Sequence, residues 1–399
     1  MSIYAHWNVA PVINATGTVT RLGGAIMSER VVAAMSAAAQ DSVSIEPLQA
    51  AASRRIAEIT GAEAALVTSG ASAALTLGAA AIMAGFDLRD QQRLPAGRGL
   101  RREFLVASDQ RNAYDHAVRL AGARLIDVGC DETTSGAGVR GVELDDFRQQ
   151  LAARSAAGVL YVHRPGGQPA LADVVSVAQD YFAPVLVDAA AELPPRANLK
   201  SIPATGAELV CFSGGKAIAG PQGTGILCGK ADLVASAAMQ MLDMDDHPEL
   251  WNPPADLFPR ERFDGMPRQG LGRGFKVAKE QIVGLLVALD EFMERDLVAE
   301  ASQQRDWLER IATLLSGKRA RCEIIDGGHA EIPPSLAIHL ADNNATESAF
   351  DFCQRLRNGT PPIYLGHARL REGVLLVNAA CLREMHLSPL AEALVAVVP

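Results

Sequence analysis

The feature that most constrains this fold is a repeated alternation of short apolar segments with helical segments. Each apolar run ends in a turn and is followed by a stretch with helical periodicity. The runs that we interpret as strands are AALVTSG, EFLVASD, RLIDVG, GVLYVH, PVLVDAAA and ELVCFSGG. This alternation predicts an α/β fold with a mainly parallel sheet that helices cover on both faces. The segment TGILCG, Thr224 to Gly229, is expected to form a further strand, either at the sheet edge or antiparallel beside the others.

A segment rich in proline and glycine, Pro248 to Gly274, interrupts the helical periodicity and is the best candidate for a domain boundary. One long helix is expected after it, at residues 276–315, because apolar side chains recur there at helical spacing. The remaining residues predict a small α+β domain with a helix from Thr346 to Arg357. We therefore predict an N-terminal segment at 1–48 that contributes to the functional site and a dimer, a large domain at 49–265, and a linker helix with a small domain at 266–399.

The charge and the cysteines exclude several classes of function. The net charge of the 399-residue chain is −9, so the chain has no overall basic field that would attract nucleic acid or anionic lipid. Its six cysteines are scattered without a C-x-x-C pair, which argues against a zinc site and a disulfide framework. The sequence shows no secretory leader and no apolar run long enough to cross a membrane. We expect a cytoplasmic protein without a metal, nucleic-acid or membrane partner.

Three polar motifs follow predicted strands, and in open α/β sheets ligands bind at the carboxyl ends of the strands. The motif TSGAS places Ser69, Gly70 and Ala71 between a strand and a helix N-terminus, where N–H groups suit a phosphate. The same residues are also ordinary helix caps. Asp188 ends a wholly apolar strand, where a carboxylate is costly unless it meets a cation or caps the next segment. Ser213 and Lys216 end the next strand, in CFSGGK.

Together these residues match the needs of pyridoxal 5'-phosphate. That cofactor requires a lysine for a Schiff base, a carboxylate that keeps its pyridine nitrogen protonated, and a cup for its phosphate. Lys216, Asp188 and the Ser69 turn supply these three elements. A nucleotide-binding alternative is weaker, because the chain has neither a Walker loop nor a G-x-G-x-x-G after its first strand.

The order of the motifs NATGT, TSGASAA, VDAAAELPP, FSGGKAIAGPQGTGILCGK and GRGFKVAKEQIVGL resembles the selenocysteine synthase (seryl-tRNA selenium transferase) branch of fold-type I pyridoxal-phosphate enzymes. It is most similar to the shorter relatives of the D-glucosaminate ammonia-lyase or dehydratase type. The resemblance implies a seven-stranded-type sheet and a homodimer or larger assembly with active sites at the subunit interface. It implies Lys216 as the Schiff-base lysine, Asp188 at the pyridine nitrogen, and Ser213 with Gly70 and Ala71 near the phosphate.

The resemblance also implies that Gly223 and Thr224, in GPQGTG, approach the phosphate of the neighbouring subunit's cofactor. Only 13 residues precede Asn14, whereas the selenium transferase has an additional tRNA-recognition domain before its NATGT region. A tRNA substrate is therefore not expected.

Further candidates surround these motifs. A group that stacks on the pyridine ring is expected within SDQRNAYDH, and Gln110 and Arg111 are favoured over Tyr114 and His116 because they lie nearer the strand end. An arginine is expected to bind the substrate carboxylate in bidentate geometry. The candidates for substrate contact are Arg273, which is preferred, Arg21, Arg268, Arg111 and His367. His163 and Arg164, at the end of GVLYVH, are candidates for contact with either the 3-hydroxyl of the cofactor or the substrate.

These residues predict a lyase that acts on a small β-hydroxy amino acid, with amino acids of the D series or derived from a sugar among the candidates. Lys216 would remove the α-proton, and loss of the β-hydroxyl would lead to a 2-oxo acid and ammonia. A racemase, an aminotransferase and a β-replacement enzyme without tRNA need the same residues and stay open as alternatives. A catalytically inactive, cofactor-binding or assembly protein is the alternative outside enzymes.

Overall fold

The computed structural model describes residues 2–129, 132–134, 138–262, 265–340 and 348–398. The strands are β1 Ile13–Ala15, β2 Ala64–Thr68, β3 Glu103–Ala107, β4 Arg124–Val128, β5 Glu132–Thr134, β6 Gly138–Arg140, β7 Gly158–Val162, β8 Val185–Asp188, β9 Leu209–Ser213, β10 Gly225–Gly229, β11 Ala320–Ile325, β12 Ser335–Leu340, β13 Ile363–Leu365 and β14 Val374–Asn378. The helices are α1 Glu29–Ala38, α2 Ile45–Thr60, α3 Ala71–Ala84, α4 Leu88–Arg93, α5 Asp115–Leu120, α6 Leu144–Ala153, α7 Leu171–Asp180, α8 Asn198–Ser201, α9 Ala231–Met241, α10 Lys279–Glu294, α11 Leu297–Leu314, α12 Ala349–Arg357 and α13 Glu384–Val397.

The chain forms two compact units, one of Met27–Phe292 and one of Met1–Ile26 with Met293–Pro399. The boundaries of these units differ from the domain boundaries at 48/49 and 265/266 that the sequence suggested. Those domain boundaries stay a prediction. The larger unit contains a seven-stranded sheet in the order β2-β10-β9-β8-β7-β3-β4. All its neighbouring strands are parallel except β10, which is antiparallel to both β2 and β9. The predicted fold class, with its mainly parallel sheet, is confirmed.

The strand β10 lies inside the sheet. The sequence left open whether TGILCG forms the sheet edge or runs antiparallel beside other strands, and the edge alternative is wrong, because β10 pairs along its length with β2 and with β9. All five of its residues are buried. An antiparallel strand can occupy this position because the turn from β9 returns the chain directly beside it.

A glycine brings α3 close to the middle of this sheet. A β-carbon at Gly78 would lie 2.9 Å from Leu186 Cδ1 and 3.3 Å from Leu209 Cδ1. The helix therefore packs closely on β8 and β9, and a larger residue at position 78 would require these leucine side chains to shift. Most of α3 is buried, and its N-terminus directly follows β2 at the carboxyl edge of the sheet.

The smaller unit has an antiparallel sheet in the order β11-β12-β14 and a parallel pair of β1 with β13. The helices α11, α12 and α13 bury their apolar faces with these strands in one core. The helix that we predicted from Thr346 to Arg357 is α12, which begins at Ala349 because Ser348 has an extended backbone and caps it, its N–H donating to Asp351 Oδ2 at 2.7 Å. Thr346 itself lies outside the described residues.

The single long helix that we expected at 276–315 is wrong. The structure has two helices there, α10 and α11, separated at Arg295 and Asp296. The Asp296 side chain accepts a hydrogen bond of 3.0 Å from the Ala299 N–H and so caps the second helix. An aspartate competes for backbone N–H groups and favours a helix start over a helix interior, which apolar periodicity alone does not reveal.

Candidate active site

The carboxyl ends of β2, β3, β7, β8 and β9 lie along one edge of the larger sheet, because all five strands run in the same direction. Asp188 at the end of β8 is in register with Val162 of β7 and with Cys211 of β9. Ser213, two residues beyond Cys211, is paired with Gly225, the first residue of β10. The sheet therefore brings the residues that end its strands to one place, as the pattern of the sequence predicts.

Asp188 is largely enclosed at this edge. Its Oδ1 accepts hydrogen bonds from the Ala190 N–H at 3.0 Å and from the Cys211 thiol at 3.9 Å between sulfur and oxygen. Burial raises the pKa of the Asp188 carboxyl, while the Ala190 N–H and the positive charge of Lys216 act to lower it. Among the described residues no cation forms an ion pair with this carboxylate. A buried carboxylate without a contacting cation is an environment that suits the protonated nitrogen of a bound ring.

Lys216 lies in a tightly closed loop between β9 and β10. The Gly214 N–H donates to the Thr224 carbonyl at 3.0 Å, and the Gly220 N–H donates to the Gly214 carbonyl at 2.9 Å. A β-carbon at Gly214 would lie 2.2 Å from Thr224 Oγ1, so this close approach requires glycine. The Lys216 side chain is partly buried, and its amine has no hydrogen bond or ion pair with a described residue. The loop thus holds an available amine within reach of the charge of Asp188.

The turn after β2, at Ser69, Gly70 and Ala71, has the geometry of an anion cradle. Gly70 is the N-cap of α3, with φ of +109° and ψ of 162°, and no side chain caps the helix. The first N–H groups of a helix have no intrahelical acceptors, so those of the first turn of α3 are available to a phosphate, which the helix dipole also favours. Ser69 and Ala71 are partly exposed here. This geometry fits the phosphate cup that the sequence predicted.

Gln110 lies in a short 3-10 helix, Ser108–Gln110, directly after β3. Its side chain is 3% exposed, and its Oε1 accepts a hydrogen bond of 2.9 Å from the Val162 N–H. Its buried Nε2 lies beside the Tyr161 hydroxyl, which itself donates to the Pro169 carbonyl, and it makes no hydrogen bond of good geometry with a described residue. A buried amide donor without a partner is uncommon, and it indicates a polar group that a ligand would complete. The favoured ring-contact candidate thus lies at the same edge as Asp188.

These observations fit pyridoxal 5'-phosphate. The uncapped start of α3 suits its phosphate, Asp188 suits its ring nitrogen, Lys216 supplies an available amine, and Gln110 offers an unused donor. Among the described residues there is no cluster of ligands for a metal ion, and no helix in the described ranges is long and apolar enough to cross a membrane. Cys130, one of the six cysteines, lies outside the described residues.

Several predicted substrate residues have other partners. Arg111 pairs with Asp115, at 2.5 Å from its Nε, and with Asp127. Arg273 pairs with Asp243 at 2.6 Å. Their predicted contacts with a substrate would replace or extend these ion pairs and stay predictions.

The remaining predicted residues fall into two groups. Thr224 is fully buried, and its hydroxyl donates to the Pro221 carbonyl at 2.6 Å. Gly223, in the same loop between β9 and β10, lies beside the side chain of Gln281 in α10. Arg21 and His367 belong to the smaller unit. There Arg21 lies 5.3 Å over the ring of Tyr364, and His367 is exposed. Their roles at a neighbouring cofactor and at the substrate stay predictions.

One polar pair at this edge combines a predicted residue, His163, with a residue that the sequence did not predict, Glu192. His163 Nδ1 lies 3.0 Å from Glu192 Oε2, and the His163 backbone N–H donates to the Asp188 carbonyl at 2.9 Å. His163 was a candidate, but Glu192 was not, because it follows Asp188 by four residues and only the turn after β8 folds it back. Glu192 is only 8% exposed. A buried glutamate is rare and therefore points to a functional or paired group, but its burial is visible only in the structure.

The chain is similar to known proteins over most of its length. A family model described as Aminotransferase class-V matches residues 142–243, which include Asp188 and Lys216. A 5'-C-glycyluridine monooxygenase-decarboxylase from Streptomyces sp is 30% identical over 394 residues, covering 95% of this chain and 88% of that protein. An L-seryl-tRNA(Sec) selenium transferase from Moorella thermoacetica is 27% identical over 429 residues, covering 97% of this chain and 82% of that protein. The chain belongs to the selenocysteine-synthase-like branch of the fold-type I pyridoxal-phosphate enzymes.

Another member of this branch, a D-glucosaminate-6-phosphate ammonia lyase from Salmonella typhimurium, is 27% identical over 394 residues, covering 96% of this chain and 94% of that protein. A solved structure of D-glucosaminate-6-phosphate ammonia-lyase superimposes with a TM-score of 0.80 at 24% identity, covering 100% of this chain and 98% of that one. The resemblance and the fold-type I architecture are confirmed. The branch depends on pyridoxal phosphate, in agreement with the fit of the edge to that cofactor.

Proposed function

We propose that this protein is a pyridoxal-phosphate-dependent lyase that eliminates the β-hydroxyl of a small, sugar-derived β-hydroxy amino acid and yields a 2-oxo acid and ammonia. The observation that carries the proposal is the meeting of Lys216, Asp188 and the uncapped start of α3 at one sheet edge. The similarity to the Salmonella typhimurium ammonia lyase supports this reaction over the alternatives with the same residues.

Each residue would have a defined task. Ser69, Gly70, Ala71 and Ser213 would hold the phosphate, and Asp188 would hold the ring nitrogen in its protonated form. When bound, the cofactor supplies an electron sink for the bond broken at the α-carbon. Lys216 would attach the cofactor and, once released by the substrate amine, would take the α-proton on Nζ. Its lack of competing ion pairs keeps that nitrogen available for both tasks.

The loop between β9 and β10 would keep Lys216 in place during this proton transfer. Its two hydrogen bonds from Gly214 and Gly220 fix the backbone on both sides of the lysine. The side chain is then the part that moves, which limits the amine to positions near Asp188. We propose further that the protein forms at least a homodimer and that Gly223 and Thr224 approach a neighbouring subunit's cofactor.

The test is a screen of β-hydroxy amino acids of both chiralities, with and without a phosphate, including D-glucosaminate and its 6-phosphate. Ammonia and the 2-oxo acid should form in equal amounts, and the absorption of the protein-bound cofactor should change when the substrate binds. Racemised substrate without ammonia would replace the proposal with a racemase, and amino-group transfer to a 2-oxo acid would replace it with an aminotransferase.

A second candidate function is oxidative decarboxylation of an amino acid. The similarity to the Streptomyces monooxygenase-decarboxylase, at 30% identity over nearly the whole chain, favours it. The same screen separates the two functions when it is run with and without dioxygen. Oxygen uptake with carbon dioxide release would establish the second candidate, whereas ammonia release that is unchanged in an oxygen-free vessel would establish the lyase.

A further inference from the structure

The pair of His163 and Glu192 is fixed to the strand that carries Asp188. His163 follows β7, and its backbone N–H donates to the carbonyl of Asp188 itself. Glu192 follows β8, where its backbone N–H donates to the Ala189 carbonyl at 3.2 Å and its carbonyl accepts from Asn198 Nδ2 at 2.7 Å. Two strands and one closed turn therefore hold both side chains at the edge with Lys216 and Asp188.

The hydrogen bond between His163 and Glu192 determines which nitrogen of the imidazole ring can contact a substrate. A carboxylate is only an acceptor, so the Nδ1 of His163 that faces Glu192 carries the hydrogen. The other nitrogen, Nε2, then lies on the side of the ring away from Glu192 and is the nitrogen that a ligand can contact. The imidazole side chain is 22% exposed, whereas the carboxylate of Glu192 is 8% exposed. One edge of the ring is therefore open to solvent, while a buried partner fixes its orientation.

An elimination of hydroxide needs a second proton transfer. Hydroxide is a poor leaving group, so the oxygen must receive a proton as the carbon–oxygen bond breaks. Lys216 is committed to the α-proton. Three further side chains of this edge are unsuited to donation: Arg164 is paired with Asp109, the Tyr161 hydroxyl donates to the Pro169 carbonyl at 2.9 Å, and the Cys211 thiol is fully buried. Asp188 is assigned to the ring nitrogen of the cofactor.

We propose that His163, oriented by Glu192, is the proton donor to the β-hydroxyl that leaves. This inference rests on the proposed lyase function and assigns its second acid–base group. The proton moves from His163 Nε2 to the hydroxyl oxygen, which leaves as water. The electron pair freed when Lys216 removes the α-proton becomes the new carbon–carbon double bond. Water returned at the later hydrolysis releases ammonia, so the sum is one amino acid giving one 2-oxo acid and one ammonium ion.

The decisive experiment varies the leaving group. A β-chloro amino acid of the same chirality loses chloride, which needs no proton, whereas the β-hydroxy substrate needs one. His163→Gln should slow ammonia release from the hydroxy substrate by about 100-fold or more, the usual range for general acid catalysis, and leave release from the chloro compound within about threefold of wild type. Glu192→Gln, which keeps a partner for the ring but removes its charge, should show the same selectivity with a smaller loss.

The chain offers a matched control. In the smaller unit His339 Nε2 lies 3.1 Å from Glu323 Oε2, at similar exposure of the histidine. His339→Gln and Glu323→Gln should leave both reactions unchanged. A readout apart from turnover is the ring-nitrogen NMR signal of His163 in the cofactor-free protein, which should report hydrogen on Nδ1 in wild type and a mixture of tautomers in Glu192→Gln.

The outcomes separate this inference from the proposed function. If wild type releases ammonia from neither substrate, the lyase function fails. If wild type releases ammonia but His163→Gln slows both substrates equally, His163 has a binding or cofactor role and the proton-donor assignment is overturned. A wild-type NMR signal with hydrogen on Nε2 alone would also overturn it.

Discussion

Gly225, the first residue of β10, lies directly against Gly70, the N-cap of α3: a β-carbon at position 225 would be 2.4 Å from the Gly70 carbonyl carbon and 2.6 Å from the Ala71 nitrogen. Both contacts are with backbone, which cannot move aside as a flexible side chain could. Through this contact β10, the strand that follows the Lys216 loop, packs against the anion cradle. The motifs TSGAS and GPQGTG are thus in direct backbone contact.

This contact makes Gly225→Ala a test of the cradle. The substitution should displace the start of α3, cost about 1–3 kcal/mol of stability as an overpacked site, and weaken retention of pyridoxal phosphate during dialysis. Thermal unfolding and absorbance of the retained cofactor measure both effects. Gly141→Ala is the control, because Gly141 is exposed and its β-carbon would meet nothing within 4 Å. Equal cofactor retention in the two variants would contradict the assignment.

Lys216 should be the site of covalent cofactor attachment. After borohydride reduction, mass spectrometry should find the cofactor on the peptide that contains Lys216 in wild type and on no peptide of Lys216→Ala. Ammonia release should fall to background in that variant, because both the attachment and the α-proton base are lost. Lys230→Ala should behave as wild type, since Lys230 forms an exposed ion pair with Glu63 at 2.7 Å. Labelling of Lys230 would refute the assignment.

Asp188→Asn should change stability and activity in opposite directions. Burial raises the pKa of Asp188 in the folded, cofactor-free protein above its value in the unfolded chain, so the folded state holds the proton more tightly. The stability that this proton contributes is full below the unfolded pKa and is lost as the pH rises through the folded pKa.

The cofactor-free Asp188→Asn protein should therefore be more stable than wild type at neutral pH, by about 1.4 kcal/mol for each unit of pKa shift. The advantage should shrink as the pH falls, and unfolding by denaturant at several pH values measures it. Activity should fall on the order of 100-fold, as for loss of other preorganised electrostatic partners. A variant that is less stable than wild type at neutral pH would show that Asp188 is not held at an energetic cost.

Gln110 should contribute to both the sheet and the site. Gln110→Leu leaves the Val162 N–H without its acceptor and should cost about 1–3 kcal/mol of stability, the usual penalty for an unsatisfied buried donor. Gln110→Glu keeps an acceptor for that N–H but removes the unpartnered Nε2 donor. The glutamate variant should keep more of the wild-type stability and still change the absorption maximum of bound cofactor. An unchanged spectrum in both variants would exclude a contact between Gln110 and the cofactor.

Arg273 tests the predicted carboxylate contact. Its ion pair with Asp243 is solvent-exposed, so its loss should change stability by no more than about 1 kcal/mol. If Arg273 binds substrate, Arg273→Ala should raise KM about 10- to 100-fold, the equivalent of one charged hydrogen bond, with little change in the melting temperature. Arg262→Ala, which breaks a similar exposed pair with Asp232, is the control. An equal KM in both variants would remove Arg273 from the substrate site.

The arrangement of strands could be predicted from sequence with few errors. The apolar runs from AALVTSG to ELVCFSGG all became strands of one sheet, because a strand buried on both faces leaves a continuous apolar signature. One error came from a local helix cap, and the other came from long-range strand pairing. Apolar periodicity continued across Asp296, yet its cap ends one helix and begins another. The position of β10 between β2 and β9 depends on pairing partners far away in sequence.

What the sequence by itself determined was the residue types that each strand ends with: an amine at Lys216, a carboxylate at Asp188, and small residues before α3. Residue type and local periodicity are written in the chain, and they were sufficient to predict the cofactor. Only the tertiary structure decided which of these groups have partners. Arg111 and Arg273 have carboxylate partners, Lys216 has none among the described residues, and Glu192 turns back onto His163. The reason is physical: burial and pairing depend on residues that are distant in sequence, and these set the availability and the charge of each group.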